Sequence, residues 1–268
     1  MIGVFDSGSG GLTVQKCIVE RLPQYRYMYL GDNARAPYGN RTPEEVYTFT
    51  KQGVDFLTQR GCTLIIIACN TSSAEALRKI QQEYVSRIDA PKVLGVIVPA
   101  VEEAVAMTRN NRIGVIATEG TVRSNAFVRE IQHRNSQALV FQNAAPLLVP
   151  LIEANEHHSS EIETILREYL RPLQREAIDT LILGCTHYGH VEAMIRDIVG
   201  DSICIVSEGS VVAERLTAYL TRHIDIESKL SREGGVTFYS TDTTERFQTL
   251  ATLFLGTPIT PEHVVLGS

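Results

Sequence analysis

Residues 180–188 read Thr180-Leu181-Ile182-Leu183-Gly184-Cys185-Thr186-His187-Tyr188, an apolar run that stops at a small residue and then a cysteine. A second run, Leu64-Ile65-Ile66-Ile67-Ala68-Cys69-Asn70-Thr71, places another cysteine in the same setting. Both runs are short and rich in aliphatic residues, which predicts buried central strands of a parallel sheet. Ligands bind at the carboxyl ends of such strands, so both thiols fall where chemistry is expected.

The chain has 268 residues, and 44% of them are apolar, which is enough for two α/β units. Its formal net charge is −6, and it contains no run of Lys or Arg. Nucleic acid and anionic membranes are therefore poor partners on electrostatic grounds. These properties favour a small-molecule ligand.

The five cysteines are odd in number and irregularly spaced, and no CxxC pair occurs among Cys17, Cys62, Cys69, Cys185 and Cys204. This pattern argues against a disulfide framework and against a zinc ribbon. The N-terminus lacks the pattern of a signal peptide, and no apolar run approaches the length of a membrane span. We expect a soluble, cytoplasmic protein with reduced thiols.

The pattern of strands and helices occurs twice. The segment that starts at Arg112 resembles the N-terminal segment shifted by 111 positions, with Thr118 where Ser7 stands. Cys69 lies 66 positions after Gly3, and Cys185 lies 71 positions after Gly114. We interpret this as an internal duplication with a pseudo-two-fold relation. The alternative is that any doubly wound sheet repeats strand and helix at such intervals.

The predicted fold class is α/β, with two pseudo-symmetric, open, mainly parallel-sheet domains of the flavodoxin or Rossmann type and the active site in the cleft between them. The N-terminal domain comprises residues 1–97 and is completed by the tail, residues 209–268. The second domain comprises residues 98–208. The tail, with a helix over 211–222, a strand over 236–240 and a helix over 243–254, is expected to pack on the first half.

Several local signals mark helix starts. Thr42-Pro43-Glu44-Glu45 is a capping box with Pro at the first helical position, and 160–163 is a second box. Ser72 or Ser73 is expected to cap the helix after the Cys69 strand. A strand is predicted over 93–98, with Pro99 breaking it.

Two thiols that face one cleft from opposite halves suit inversion at a carbon that bears a proton. One thiolate removes the proton from one face, and one thiol delivers a proton to the other. The following helix N-termini are expected to lower both thiol pKa values. The alternative, a cysteine that packs as a small hydrophobe, is accepted for Cys17, Cys62 and Cys204. A hydrolase dyad of one cysteine with His187 is a further alternative.

The loop Asp6-Ser7-Gly8-Ser9-Gly10-Gly11 lacks the third glycine of a dinucleotide fingerprint and the Lys of a P-loop. Its amides and the Ser7 hydroxyl can hold a carboxylate, and Asp6 can hold an ammonium; a plain tight turn is the alternative. Cys185, His187 and His190 have no fourth ligand nearby, so no metal is expected. No lysine context suggests pyridoxal phosphate, and the adjacent residues His157 and His158 are expected to be solvated.

Four segments, Asp6-Ser7-Gly8-Ser9-Gly10-Gly11-Leu12, Pro37-Tyr38-Gly39, Ala68-Cys69-Asn70-Thr71 and Gly184-Cys185-Thr186-His187-Tyr188, resemble the signature segments of the glutamate racemases. These are cofactor-independent members of the aspartate/glutamate racemase superfamily. The resemblance spans the chain in order and implies interconversion of L- and D-glutamate for bacterial peptidoglycan, commonly by a homodimer. The turn Ser207-Glu208-Gly209 departs from the usual Asp-Ser-containing pattern, and Gly189 stands where proline is usual.

The resemblance also implies residue roles. Cys69 acts on D-glutamate and Cys185 on L-glutamate, with Asp6, His187 and Glu153 assisting. The implied substrate-binding residues are Asp6, Ser7, Tyr38, Gly39, Asn70, Thr71, Thr118, Thr121, Thr186 and His187. No cofactor and no metal are expected. Racemisation of aspartate or of a hydantoin, and a non-catalytic ligand-binding module, are the alternative functions.

Overall fold

A computed structural model describes residues 1–85, 90–156, 159–242 and 245–267, without the side chains of Ser160 and Arg246. The first half alternates strands and helices. Its elements are β1 (Ile2–Asp6), α1 (Leu12–Arg21), β2 (Tyr27–Gly31), a 3₁₀ turn (Asn33–Arg35), α2 (Pro43–Gln59), β3 (Leu64–Ile67), α3 (Asn70–Glu75), α4 (Leu77–Val85) and β4 (Lys92–Gly95).

Helix α5 (Ile97–Met107) leads into the second half. The elements there are β5 (Arg112–Ala117), α6 (Glu119–Ser124), α7 (Ala126–Arg134), β6 (Leu139–Ala144), α8 (Leu148–Glu153), α9 (Ser160–Arg175), β7 (Thr180–Gly184), a 3₁₀ helix (Thr186–Val191), α10 (Glu192–Val199) and β8 (Cys204–Val206). The tail adds α11 (Glu208–Arg222), α12 (Ile224–Glu227), β9 (Val236–Ser240), α13 (Glu245–Leu255) and β10 (Glu262–His263).

The strands form two parallel sheets, which confirms the predicted fold class. One sheet has the order β10-β9-β2-β1-β3-β4, and the other has the order β6-β5-β7-β8. Apart from the two tail strands, both sheets repeat one topology, in which the first strand lies between the second and the third. The position of β3 in its sheet therefore matches that of β7, as the sequence repeat predicts. In such sheets the crevice beside the first and third strands is the expected ligand site.

The central strands are buried along their whole length because helices cover both faces of each sheet. β1, β3 and β7 contain only buried residues. The two halves share one apolar core, to which Ile2 and Val4 of β1 and Leu181 and Leu183 of β7 all contribute. Helices α1 and α11 pack against each other within it. The carboxyl ends of β3 and β7 are thus held on a rigid, continuous scaffold.

Several predicted helix starts differ in the structure. The Thr42 capping box is confirmed: the Thr42 side chain accepts from the Glu45 amide, and Glu45 accepts from the Thr42 amide. The prediction that Ser72 or Ser73 caps a helix is wrong, since α3 begins at Asn70 and Cys69 is its N-cap. Ser73 Oγ instead donates to the carbonyl of Ile67.

Two other signals are displaced. Pro99 lies inside the first turn of α5 instead of ending a strand, because the first helical turn needs no amide donor there. Ser159, and not Ser160, caps α9, so that box is wrong by one residue.

The tail packs on the first half, as predicted. β9 pairs with β2 in parallel, and β10, which the sequence does not predict, pairs with β9. The predicted helix start at Thr243 and the residues His157 and His158 lie outside the described residues. No described helix is both long enough and apolar enough to cross a bilayer.

Candidate active site

Cys69 follows β3 and lies at the start of α3, where its side chain is 6% exposed. The Ser7 hydroxyl, from the loop after the neighbouring strand β1, donates to Cys69 Sγ at 3.3 Å. The amide of Ser72 also points at Cys69 Sγ, at 3.5 Å. The strand order thus brings Ser7 and Cys69 together, and both donors favour the thiolate form.

Cys185 occupies the matching position after β7 and is 8% exposed. Its Sγ lies 3.8 Å from Nδ1 of His187, in the 3₁₀ helix that follows. The other ring nitrogen of His187, Nε2, lies 3.1 Å from Glu153 Oε1 at the end of α8. Cys185, His187 and Glu153 therefore form a chain of polar contacts in which the carboxylate can fix the orientation of the imidazole.

Both thiols have raised pKa values, so the expectation that helix N-termini lower them is wrong. Burial is the largest cause in each case, and for Cys69 the bonds from Ser7 and Ser72 oppose it only in part. The pKa of Cys185 is raised further by the negative charges of Cys69, Asp6 and Glu208. The helix after Cys185 is a six-residue 3₁₀ helix without a cap bond, which weakens the dipole that could have opposed burial. The contribution of Cys69 to the pKa of Cys185 is consistent with two thiols within electrostatic reach of each other.

Asp6 ends β1 and is 1% exposed. Burial raises the pKa of its carboxyl, while the positive charge of His187 and the amide of Gly8 lower it. The Gly8 amide donates to Oδ2 at 2.9 Å, and the nearby amide of Gly11 also lowers the pKa. Oδ1 itself makes no hydrogen bond within the described chain. Asp6 therefore offers a buried acceptor next to both the first-half loop and the second-half histidine.

The glycine-rich loop approaches the Cys185 loop too closely for a side chain. A Cβ atom on Gly10 would lie 2.4 Å from His187 Nδ1 and 2.4 Å from Thr186 Oγ1. Thr13 Oγ1, at the start of α1, donates to the Thr186 carbonyl at 3.2 Å. Glycine here is thus required by the contact between the two halves. The loop is therefore more than a tight turn, because it also forms the contact with the Cys185 loop.

A cluster of threonines joins the two halves on the other side of the site. Thr71 Oγ1 lies 2.9 Å from Thr118 Oγ1 and 3.4 Å from Thr121 Oγ1. The Gly39 carbonyl accepts from the amide of Gly120 at 2.7 Å, and a Cβ on Gly39 would lie 2.9 Å from Thr118 Cβ. The structure therefore brings Gly39, Thr71, Thr118 and Thr121 together, as the predicted binding set requires.

Tyr38 is placed differently from the other candidates. Its hydroxyl donates to Asp32 Oδ2, and its ring packs between Phe5 and Phe49. Burial and the Asp32 carboxylate raise the pKa of Tyr38, and the Cys69 thiolate raises it as well. Tyr38 thus lies near Cys69, although its hydroxyl is bonded to a residue that sequence reasoning does not name.

Asn70 and Glu208 form a pair that sequence reasoning does not predict. Asn70 Nδ2 donates to Glu208 Oε2 at 2.7 Å, and both side chains are buried. Glu208 opens α11 immediately after β8, and it borders a cavity of about 550 Å³ together with Cys185 and Thr186. Its place at a strand end next to β7 is the signal that could have identified it.

His190 does not join Cys185 and His187 as a ligand set. Its ring stacks on Phe254 with a centroid distance of 4.2 Å. Within the described chain, no three His, Cys, Asp or Glu side chains are grouped as a metal site requires. All five cysteines are free thiols.

Known proteins resemble this chain over its full length. It is 38% identical over 268 residues to the glutamate racemase of Carnobacterium sp. (strain St2), covering 99% of this chain and 98% of that protein. The crystal structure of glutamate racemase isoform RacE1 from Bacillus anthracis superposes with a TM-score of 0.91 at 35% identity, covering 99% of this chain and 97% of that one.

The glutamate racemase of Francisella tularensis, solved in complex with D-glutamate, matches with a TM-score of 0.87 at 33% identity, over 100% of this chain and 97% of that one. The family model described as Asp/Glu/Hydantoin racemase matches residues 2–214. The resemblance seen in the four sequence segments is thereby confirmed, and the chain belongs to the Asp/Glu/Hydantoin racemase family.

Proposed function

We propose that this protein is a glutamate racemase, which interconverts L- and D-glutamate by proton transfer at Cα between two cysteines and needs no cofactor. The observation that carries the proposal is the placement of Cys69 and Cys185 at equivalent strand ends of two matched halves, within electrostatic reach of each other. The full-length relatives named glutamate racemase support the choice of substrate.

The reaction begins with one thiolate and one thiol. With D-glutamate, the Cys69 thiolate takes the Cα proton and becomes a thiol, and the electron pair moves into the α-carboxylate. The Cys185 thiol then delivers its proton to the opposite face and becomes a thiolate. L-glutamate reacts in the reverse sense. Ser7 stabilises the charge on Cys69 through its hydrogen bond, and His187, oriented by Glu153, serves Cys185 in the same way.

The binding residues hold a molecule with two carboxylates and one ammonium. We propose that hydroxyl groups and backbone amides hold the carboxylates and stabilise the charge that builds as the proton leaves. Asp6, whose Oδ1 is buried without a partner in the described structure, holds the ammonium. The hydroxyl groups are those of Ser7, Thr71, Thr118, Thr121 and Thr186, and the backbone amides are those of Tyr38, Gly39 and Asn70.

Purified protein in deuterium oxide tests the proposal. We expect D-glutamate to lose its optical activity and to gain deuterium at Cα, while D-aspartate reacts at least about 100-fold more slowly in kcat/KM, a difference of about 2.7 kcal/mol in transition-state binding. Faster turnover of D-aspartate would contradict the substrate assignment. Absence of both rotation change and deuterium would leave only a ligand-binding module.

We further propose that the protein is a cytoplasmic homodimer that supplies D-glutamate for peptidoglycan. Its free thiols suit a reducing compartment, and the family resemblance supports the dimer. We also propose that residues 1–97 with 209–268, and residues 98–208, act as the two lobes of the catalytic cleft. Light scattering coupled to size-exclusion chromatography tests the dimer. A molar mass near that of a single chain would contradict it.

A further inference from the structure

Glu208 is a buried carboxyl group that the proposed proton transfer does not use. It is 4% exposed, and within the described structure it has no cationic partner. Oε2 accepts from Asn70 Nδ2 at 2.7 Å, while Oε1 is buried without a hydrogen bond. A buried carboxyl with one hydrogen bond and no cation destabilises a fold relative to an apolar side chain of the same size. Packing therefore does not account for Glu208.

The partner of Glu208 is the residue directly after the Cys69 thiol. An Asn side chain has one edge that donates and one that accepts. Burial raises the pKa of Glu208 well above its usual range, and in either protonation state its Oε2 accepts from Asn70 Nδ2. Glu208 thus holds the nitrogen edge of Asn70 and leaves the oxygen edge free, and Asn70 Oδ1 is buried without a partner in the described chain. The orientation of this amide is set by the first residue of α11, which follows the last strand of the second half.

A second buried acceptor lies on the neighbouring strand. This acceptor is Oδ1 of Asp6, the last residue of β1. Asn70 follows β3, which pairs with β1. The electrostatic interaction of Glu208 with Asp6 places the three side chains in one region. Two acceptors without donors, at the ends of adjacent strands, match a ligand group that carries several N–H donors.

We propose that Glu208 is a positioning residue for Asn70: it turns the amide oxygen toward the ammonium group of the amino-acid substrate, beside Asp6. This inference rests on the proposed racemase function and adds to Asp6 a second group that recognises the amine. Because the contact exists both before and during proton transfer, its loss weakens binding more than turnover.

Steady-state kinetics of four proteins test the inference: the unmodified protein, Glu208→Ala, Asn70→Ala and the double variant. We expect Glu208→Ala to raise the KM for D-glutamate about tenfold and to leave kcat within about threefold, since a hydrogen bond to a charged group is lost. If Glu208 acts through Asn70, the KM of the double variant equals that of Asn70→Ala. Effects that multiply would overturn the inference.

Two further variants serve as controls. Glu192→Gln removes a negative charge from the wall of the same cavity, and its carboxylate is paired with Arg196 rather than Asn70. We expect its KM to change less than about twofold, because an exposed ion pair contributes little. Glu208→Gln keeps the size and lets the Asn70 amide take either orientation, so its KM should rise about twofold if half the molecules are competent.

The outcomes separate the inference from the proposed function. An unmodified protein that does not racemise glutamate contradicts the proposed function. An unmodified protein that racemises it, with a Glu208→Ala KM unchanged or with a loss only in kcat, overturns the role of Glu208 alone. If Glu208→Ala does not fold, a Glu208→Gln KM identical to that of the unmodified protein has the same consequence.

Discussion

At the residue scale, the two thiols have the same setting in the sheets and different polar partners. Cys69 accepts from Ser7, while Cys185 faces the ring of His187. Each is needed once in every turnover, so we predict that Cys69→Ala and Cys185→Ala each lower kcat at least about 1000-fold, because a positioned acid or base contributes that much. The measurement is the loss of optical rotation of D-glutamate and, separately, of L-glutamate.

Cys204 provides the matched control for these substitutions. It is a half-buried free thiol at the amino end of β8, whereas Cys69 and Cys185 follow the carboxyl ends of their strands. We expect Cys204→Ala to keep kcat within about twofold, since changes away from special features are usually small. Full activity in either Cys69→Ala or Cys185→Ala would refute proton transfer by two thiols.

The acidity of the thiols leads to a prediction for pH. The base must be a thiolate, and burial raises the pKa of both cysteines. Below a raised pKa the thiolate fraction grows with pH, so kcat/KM should rise close to tenfold per pH unit between about pH 7 and pH 9. The plot of kcat/KM against pH must be the same for both enantiomers. Their free energies are equal, so the equilibrium constant is one and kcat/KM is equal in the two directions at every pH. Initial rates across this range are the measurement, and a plateau from pH 7 to pH 9 would contradict it.

At the scale of elements, the loop between β1 and α1 connects the two halves. A Cβ on Gly10 would overlap both Thr186 and His187, whereas a Cβ on Gly8 would meet only Ala36 Cβ and Asn33 Nδ2, at 3.7 and 3.8 Å. We predict that Gly10→Ala lowers kcat/KM at least about 100-fold by displacing the Cys185 loop, because even small misplacement of catalytic groups is costly.

The same loop provides its own control. Gly8→Ala makes ordinary van der Waals contacts and keeps the amide that donates to Asp6, so we expect kcat/KM within about threefold of the unmodified value. Thermal unfolding of both variants should accompany the kinetics. Equal losses in the two variants would show that the loop needs glycine for its backbone and not for the contact between the halves.

Local sequence signals predict those elements whose determinants lie within a few residues. Thr42 and Glu45 form their reciprocal bonds within one helical turn, and the strand from Val236 to Ser240 has the predicted bounds. Ser72 and Ser73 carry a cap pattern, but the strand–helix connection after β3 is tighter than expected, and the Cys69 thiol takes the cap position itself. That connection is set by the packing of α3 on the sheet, which no local pattern contains.

At the scale of the whole molecule, the sequence repeat predicts the shared sheet order and the matching places of Cys69 and Cys185. It cannot predict which side chains meet across the halves, because those contacts depend on how the two sheets face each other. The pairing of Asn70 with Glu208 depends on how the sheets face each other. So does the burial that raises the pKa values of the thiols. The resemblance in sequence rests on the signature segments, and the turn that contains Glu208 departs from their usual pattern.

The placement of one thiol on each half determines which enantiomer gains deuterium from the solvent. If Cys69 takes the proton from one face and Cys185 delivers another to the opposite face, the product always receives a proton from a different thiol. We therefore predict that D-glutamate in deuterium oxide yields L-glutamate labelled at Cα, while the remaining D-glutamate stays about 90% unlabelled at low conversion, because return by Cys69 uses the proton it removed. Mass spectrometry of the separated enantiomers, at less than about a tenth of full conversion, measures both fractions. Deuterium that enters D-glutamate as fast as L-glutamate forms would show that one freely exchanging base serves both faces, and the matched halves would then not be the catalytic unit.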